Sequence, residues 1–160
     1  MQIILIRHAE AVDENLALRD PHRHLTPRGR EQARLLGDRL RWHDCNPTHV
    51  WTSPLVRALQ TAELVLGRYE HSTSERVSIE SVPDLAPDAE YGERAIEAAL
   101  KKLPSDAIVF LVGHEPKISA IGGLLVRDPS FGTLQKAQAA RIIDGRLRWR
   151  FACDAEAPTL

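Results

Sequence analysis

This chain has little of what anchors or staples a protein by special means. Cys45 and Cys153 are its two cysteines in 160 residues, outside any CxxC pattern. That argues against a disulfide framework and a zinc site, and makes reduced thiols in a cytoplasmic setting the expectation. No stretch approaches the roughly 18 apolar residues that span a bilayer. The N-terminal run Ile3 to Ile6 is shorter than a signal-peptide core of roughly 7 to 15 residues, and Arg7 follows it instead of preceding it. A soluble protein with no export signal and no membrane partner is expected. The 21 basic and 22 acidic residues leave a formal charge of -1, without the basic excess that neutralises a nucleic-acid backbone, so no nucleic-acid partner is expected either. Local clusters of arginine therefore need local explanations.

At this length one compact domain buries enough surface to need no metal or disulfide. Apolar, β-rich runs alternate with amphipathic segments, the pattern of parallel strands joined by crossover helices. Ile3 to Ile6 reads as the first strand. Thr26-Pro27 supplies an N-cap hydroxyl and a first-turn proline for a helix to about Trp42, with Ala33, Leu36 and Leu40 at helical spacing. Val50 to Thr52 reads as a short strand, and Ser53-Pro54 repeats the cap-plus-proline start before Leu55, Leu59, Ala62 and Val65. Val77 to Ile79 is expected to be a strand and Ala95 to Leu103 a helix. Ile108 to Val112 is continuously apolar, as a central strand buried on both faces should be, and Pro116 opens a further helix. Ala139 to Ile143 and Leu147 to Phe151 form a hairpin around Asp144-Gly145. The expected architecture is a single three-layer α/β domain over residues 1–153, a mostly parallel sheet with helices on both faces and a C-terminal hairpin. The tail 154–160 is expected to fray.

Two of these strands end in a histidine: Arg7-His8-Ala9 follows the first, and Gly113-His114-Glu115-Pro116 follows the central one. Ligands of open α/β sheets bind at that carboxyl edge, so the two histidines suggest one shared site. Arg57, expected one turn into the helix started by Ser53-Pro54, would join them, and Arg23 could enter from the loop. The natural guest of such a cluster is an anion. Phosphate fits best, because guanidinium groups offer forked donors and a helix N-terminus adds backbone N–H groups. Neighbouring positive charge disfavours imidazolium, which leaves His8 neutral and able to attack phosphorus, while His114 hydrogen-bonds the phosphoryl oxygens. No metal and no cofactor is then required. His22-Arg23-His24 lacks further ligands at a metal-binding spacing. Arg39, Arg41, Arg146, Arg148 and Arg150 read as wet faces, and Trp42, Trp51 and Trp149 as core or half-buried packing.

Arg7-His8-Ala9, Leu25-Thr26 with Gly29 and Gln32-Ala33, Ser53-Pro54 with Arg57-Ala58 and Gln60-Thr61, and Gly113-His114-Glu115-Pro116 together resemble the histidine phosphatase superfamily, most closely its small SixA-type phosphohistidine phosphatase branch. The motifs stand in the family's order from the start of the chain to near its end. The resemblance implies an α/β fold, His8 as the phosphorylated nucleophile, Arg7, Arg57 and His114 around the phosphoryl group, and Arg23 as a further phosphate contact. It also implies a partner that carries phosphohistidine, such as a phosphotransfer or phosphocarrier protein.

One departure bears on substrate. Phosphomutases and phosphomonoesterases of this kind carry an acid in mid-chain, after a leucine, to protonate an alkoxide leaving group. Here Asp84-Leu85-Ala86-Pro87-Asp88 has no acid at that step after Leu85. A phosphohistidine nitrogen leaves far more easily than an alkoxide, so the departure favours an N–P substrate. The connections are also too short to build a lid over a sugar phosphate. Two alternatives stand beside this reading: a phosphomonoesterase or phosphomutase of small metabolites, with Asp88 or another acid between Pro83 and Glu93 as donor, and a non-catalytic module that binds phosphoproteins. Retention of both His8 and His114 speaks against the latter. Lys117, close to His114, is assigned no role.

Overall fold

The computed structural model describes residues 1–69 and 77–160. Among them are six strands, β1 (Gln2–Arg7), β2 (His49–Thr52), β3 (Ile79–Ser81), β4 (Ile108–Gly113), β5 (Gln138–Ile143) and β6 (Arg146–Ala152), and four α-helices, α1 (Pro27–Trp42), α2 (Val56–Leu66), α3 (Gly92–Leu100) and α4 (Lys117–Val126). The strands form one sheet in the order β3-β2-β4-β1-β5-β6. β3, β2, β4 and β1 run parallel, and β5 and β6 are antiparallel to their neighbours.

The apolar runs are continuous because the central strands are covered on both sides. Ile4 and Ile6 of β1 and Phe110 and Val112 of β4 face Ala33, Leu36, Leu40, Ala58, Ala62 and Val65 of α1 and α2. Their alternates Ile3, Leu5, Val109 and Leu111 face Ile96, Leu100, Ile118 and Ile121 of α3 and α4. The result is the expected three-layer α/β sandwich. The crossover from β1 runs through α1 on one face, whereas that from β4 runs through α4 on the other. Adjacent parallel strands whose chains leave toward opposite faces open a crevice at their carboxyl ends. Arg7 is paired with Gly113 across β1 and β4, so His8 and His114 emerge side by side.

Several boundaries differ from the sequence reading for identifiable reasons. α2 begins at Val56, not at Ser53-Pro54: the Ser53 amide still extends the sheet, donating to Val112 O at 2.9 Å, and Leu55 is the N-cap. Arg57 is therefore the second helical residue, with its guanidinium near the helix N-terminus. β3 lies at Ile79–Ser81, where its ladder with Val50 to Thr52 fixes the register. α3 starts three residues earlier than its apolar spacing indicates, after a left-handed Tyr91 (φ 55°), and ends at Leu100 in a turn. The tail expected to fray folds back, since Thr159 exchanges backbone hydrogen bonds of 2.6 and 2.7 Å with Arg150 on the free edge of β6. Trp51 is core and Trp149 half-buried, but Trp42, on the last turn of α1, is 72% exposed. Arg150, assigned to a wet face, instead lies over the Phe131 ring at 4.4 Å and donates to Thr133 O.

The start of α1 is pressed against the segment that follows His8. Thr26 caps the helix by accepting from the Gly29 amide at 3.0 Å, and its own hydroxyl donates to Glu10 Oε2 at 2.9 Å. A Cβ on Gly29 would lie 2.0 Å from Glu10 O, a backbone atom with nowhere to go. Gly29→Ala is therefore expected to cost about 2 to 3 kcal/mol by overpacking, read as a lower urea midpoint at unchanged slope. Wild-type stability in this variant would show that the two segments separate freely.

Candidate active site

Three neighbouring strands deliver three side chains to one edge in sheet order: Ser53 after β2, His114 after β4 and His8 after β1. The Ser53 and His8 amides bond to Val112 O and Gly113 O of β4, at 2.9 and 3.0 Å, so both loops start in register with it. The His8 and His114 rings are 5.1 Å apart between centroids and tilted by 56°. Both are buried.

Their hydrogen bonds assign both rings the Nδ1–H tautomer but leave a different nitrogen unused on each. His8 Nδ1 lies 2.7 Å from Ala9 O, which can only accept. The proton is therefore on Nδ1, and Nε2 keeps an unshared pair. His114 Nε2 lies 2.7 Å from the Ser53 hydroxyl, and its Nδ1 is buried without a partner. Ser53 Oγ already accepts from the Leu55 amide at 3.2 Å. Its hydroxyl proton is thus free to go to His114 Nε2, which leaves the imidazole proton on Nδ1 as an unused donor. One ring presents a nucleophilic lone pair and the other an N–H.

The remaining donors are arginines. Arg57 is buried among Asp20, Arg23 and the histidines; Nη1 donates to Asp20 O at 2.9 Å and Nε has no partner. Arg7 Nη1 donates to Leu134 O at 2.9 Å, and its Nε is likewise unpaired. Arg23 Nε donates to Val12 O at 2.6 Å, with Nη1 on Asp20 Oδ1 at 2.9 Å. Among the described residues five buried side-chain nitrogens lack a partner, and three of them, on Arg7, Arg57 and His114, belong to this cluster. Each such donor costs roughly 1 to 3 kcal/mol unless something accepts from it. All three are buried at the edge that carries His8, with no acceptor among the described residues.

Burial lowers the His8 pKa most; Arg57, Arg7 and Lys136 add to it and the Ala9 carbonyl opposes, giving about 4. His114 is brought to about 3, first by burial and then by His8 and Arg57. Both rings are therefore neutral near pH 7, as nucleophile and neutral donor require.

All five residues named from the sequence, Arg7, His8, Arg23, Arg57 and His114, converge here. Asp20, Ser53, Leu134 and Lys136 were not read as part of the site. Ser53 has a signal, a hydroxyl at a strand end beside the helix carrying Arg57, but it reads equally as a cap. Leu134 contributes a main-chain carbonyl, which leaves no trace in composition. The Leu134 amide donates to Glu115 Oε1 at 3.1 Å, and Ser119 donates to Glu115 Oε2 at 2.6 Å, so Glu115 ties the carbonyl that aims Arg7 to α4. Thr61 accepts from the Ala9 amide at 3.1 Å and donates to Arg57 O at 2.8 Å, linking the His8 loop to α2. Lys117 is buried, but its ammonium donates to Ala89 O and so clamps the 84–92 loop. His22 and His24 are exposed, and no group of three or more His, Cys, Asp or Glu among the described residues is arranged to hold a metal ion.

The model of the histidine phosphatase superfamily (branch 1) matches residues 3–86, more than half of the chain. The chain belongs to that superfamily. Its fold matches the protein histidine phosphatase SixA complexed with tungstate, with a TM-score of 0.82 over 96% of this chain and 97% of that one at 24% identity. It also matches the alpha-ribazole phosphatase of Shigella flexneri, with a TM-score of 0.69 over 89% and 90% of the two chains at 22% identity. At those identities the likeness is one of fold, and the fold is of the SixA type. Among curated relatives, the mitochondrial serine/threonine-protein phosphatase Pgam5 of Drosophila willistoni is 36% identical over 85 residues. The match covers 53% of this chain but 28% of that protein, so the superfamily member described here spans less than a third of its relative.

Ser53→Ala is expected to lower kcat roughly tenfold, the worth of one buried hydrogen bond, with Ser53→Thr restoring most of it. Ring-nitrogen NMR should report the Nδ1–H tautomer of His114 in the wild type and a mixture in Ser53→Ala. A wild-type His114 protonated on Nε2 would refute the assignment.

Acid should also destabilise the fold. Between the folded values of about 4 and about 3 and the ordinary 6.5 the unfolded chain binds more protons than the native one, so stability rises with pH across that window. Urea midpoints should be level above about pH 7 and fall on acidification from about 6.5 toward 4, while His8 and His114 ring signals stay those of neutral imidazole at about pH 5. Titration of either ring near 6.5 in the folded protein would contradict this.

Proposed function

We propose that this protein is a phosphohistidine phosphatase that hydrolyses the N–P bond of a phosphorylated protein through a covalent intermediate on His8. The observation that carries the reading is the unshared pair on His8 Nε2 set among three buried, unpaired donors. In the first step Nε2 attacks phosphorus in line, forming a new N–P bond as the bond to the substrate imidazole breaks, that ring leaving neutral with a proton on its other nitrogen. Arg7, Arg23, Arg57 and His114 Nδ1 stabilise the charge spread over the phosphoryl oxygens. In the second step water attacks phosphorus, the bond to His8 breaks, and inorganic phosphate leaves. The arginines and histidine supply the charge stabilisation that a metal gives elsewhere, so the reaction is proposed to need none.

The loop that follows β3 supports an N–P substrate. It turns Leu85 and Ala86 inward and leaves Asp88 exposed, and the charged group drawn into its base is Lys117, a cation. Among the described residues no carboxylic acid is held there to protonate an alkoxide, and a departing imidazole has far less need of one. The likeness to SixA agrees with this, and the partner inferred from it is a phosphotransfer or phosphocarrier protein in cytoplasmic signal transduction. A second reading, favoured by the likeness to Pgam5 and to the alpha-ribazole phosphatase, is a phosphomonoesterase in which Asp88 swings in as the acid.

The test is phosphate release from a phosphohistidine-bearing protein, a sugar phosphate and phosphoserine, with chelator present. Release from phosphohistidine alone is expected, reduced by at least about a thousandfold in His8→Ala. Faster turnover of the sugar phosphate or phosphoserine would favour the second reading. Undiminished activity in His8→Ala would remove the nucleophile.

A further inference from the structure

One carboxylate is built into the anion cluster, and the mechanism above does not use it. Asp20 opens a 3-10 turn, Asp20–His22, on the connection between β1 and α1. Its Oδ1 accepts from Arg23 Nη1 at 2.9 Å, its Oδ2 lies 3.4 Å from Arg57 Nη2, and its backbone carbonyl accepts from Arg57 Nη1 at 2.9 Å. Asp20 thus spans two of the guanidinium groups assigned to the phosphoryl oxygens. The other acids nearby are committed elsewhere: Glu10 accepts from Thr26 and Glu115 holds Leu134 and Ser119.

From this geometry we infer that Asp20 is an internal competitor for the phosphate pocket, an affinity-setting residue whose carboxylate occupies arginine N–H groups that a bound phosphoryl group must take over. The inference rests on the proposed phosphatase reading and deepens it by naming what limits retention of the product. The contacts are unequal in a way that suits exchange. The bond to Arg23 is short, that to Arg57 is long, and the side chain is 42% exposed, so the carboxylate can swing from Arg57 while still held by Arg23. Burial pushes its pKa up, but the hydrogen bond from Arg23 and the charge of Arg57 outweigh it, hold the carboxyl below its ordinary value and keep Asp20 ionised. A dianion brought beside a carboxylate still tethered to Arg23 is repelled; at about 4 Å and an effective dielectric near 20 each pair of unit charges interacts strongly enough to change affinity severalfold or more. Product phosphate, formed where Asp20 regains its second arginine, is thereby released and not stored.

A structural role for Asp20, holding Arg23 and Arg57 in place, predicts the opposite sign, because loss of the carboxylate would then loosen the arginines and weaken anion binding. The experiment is calorimetric binding of inorganic phosphate to the full chain, in wild type, Asp20→Asn and Asp20→Ala at one salt concentration, with inhibition by phosphate of aryl phosphate hydrolysis as a second readout. Both variants are expected to bind phosphate roughly tenfold more tightly than wild type, a factor of about ten in Kd and in Ki, with Asp20→Ala at least equal to Asp20→Asn. Unchanged or weaker binding in both variants overturns the competitor role while leaving the phosphatase reading intact. Failure of all three proteins to bind phosphate would remove the anion pocket itself, and the inference with it.

Discussion

The parallel pairing of β1 with β4 is the constraint from which the site follows. A one-residue slip would turn the Arg7 and Gly113 ends out of register, and with Ile4 and Ile6 facing one helical layer and Ile3 and Leu5 the other, a slip would also exchange the two cores. The burial pattern that stabilises the sheet therefore holds His8 and His114 together. The proposed chemistry needs the two rings to be neighbours, and the hydrophobic alternation along two short strands enforces this independently of the 5.1 Å approach of the rings themselves.

The same edge explains the electrostatics. Two imidazoles taken out of water beside arginines shed their protons, and buried guanidinium groups in turn need acceptors. The protein meets part of that need with main-chain carbonyls at Leu134, Asp20 and Val12, and part with the Asp20 carboxylate, but leaves Nε of Arg7 and of Arg57 and Nδ1 of His114 unpaired. These donors are fixed by their other bonds before any ligand arrives. Preorganisation of that kind is what makes dipoles effective on charge that develops during phosphoryl transfer.

What the sequence made legible follows from how each part is encoded. Strands buried on both faces appear as unbroken apolar runs, so the histidines at their ends were visible, as was α1 through Thr26-Pro27 and its spacing of Ala33, Leu36 and Leu40. Ser53-Pro54 misled because the serine serves the sheet and His114 before any helix begins, and a hydroxyl followed by proline looks the same in both uses. Asp20 was invisible for another reason: its partner Arg57 is 37 residues away, and loop residues carry no periodicity that aligns them. Leu134, 127 residues from Arg7, acts through its carbonyl, which every residue has. Sites assembled from strand ends can be read in advance; the loop groups that aim and oppose them require the tertiary structure.

The loop after β3 completes the argument about leaving groups. A Cβ on Gly92 would lie 2.2 Å from Asp84 O and 2.7 Å from Lys117 Nζ, so the segment closes tightly on itself around the lysine. An acid swung inward from this loop would approach that cation and become harder to keep protonated, since nearby positive charge favours the carboxylate. A carboxylate cannot donate the proton that an alkoxide demands. The placement of Lys117 thus works against alkyl phosphate chemistry even if Asp88 can reach the site, whereas an imidazole leaving group is indifferent to it. The edge's unpaired donors serve any phosphoryl transfer, and it is the loop's cation that supports the proposed choice of a nitrogen leaving group over an alkoxide.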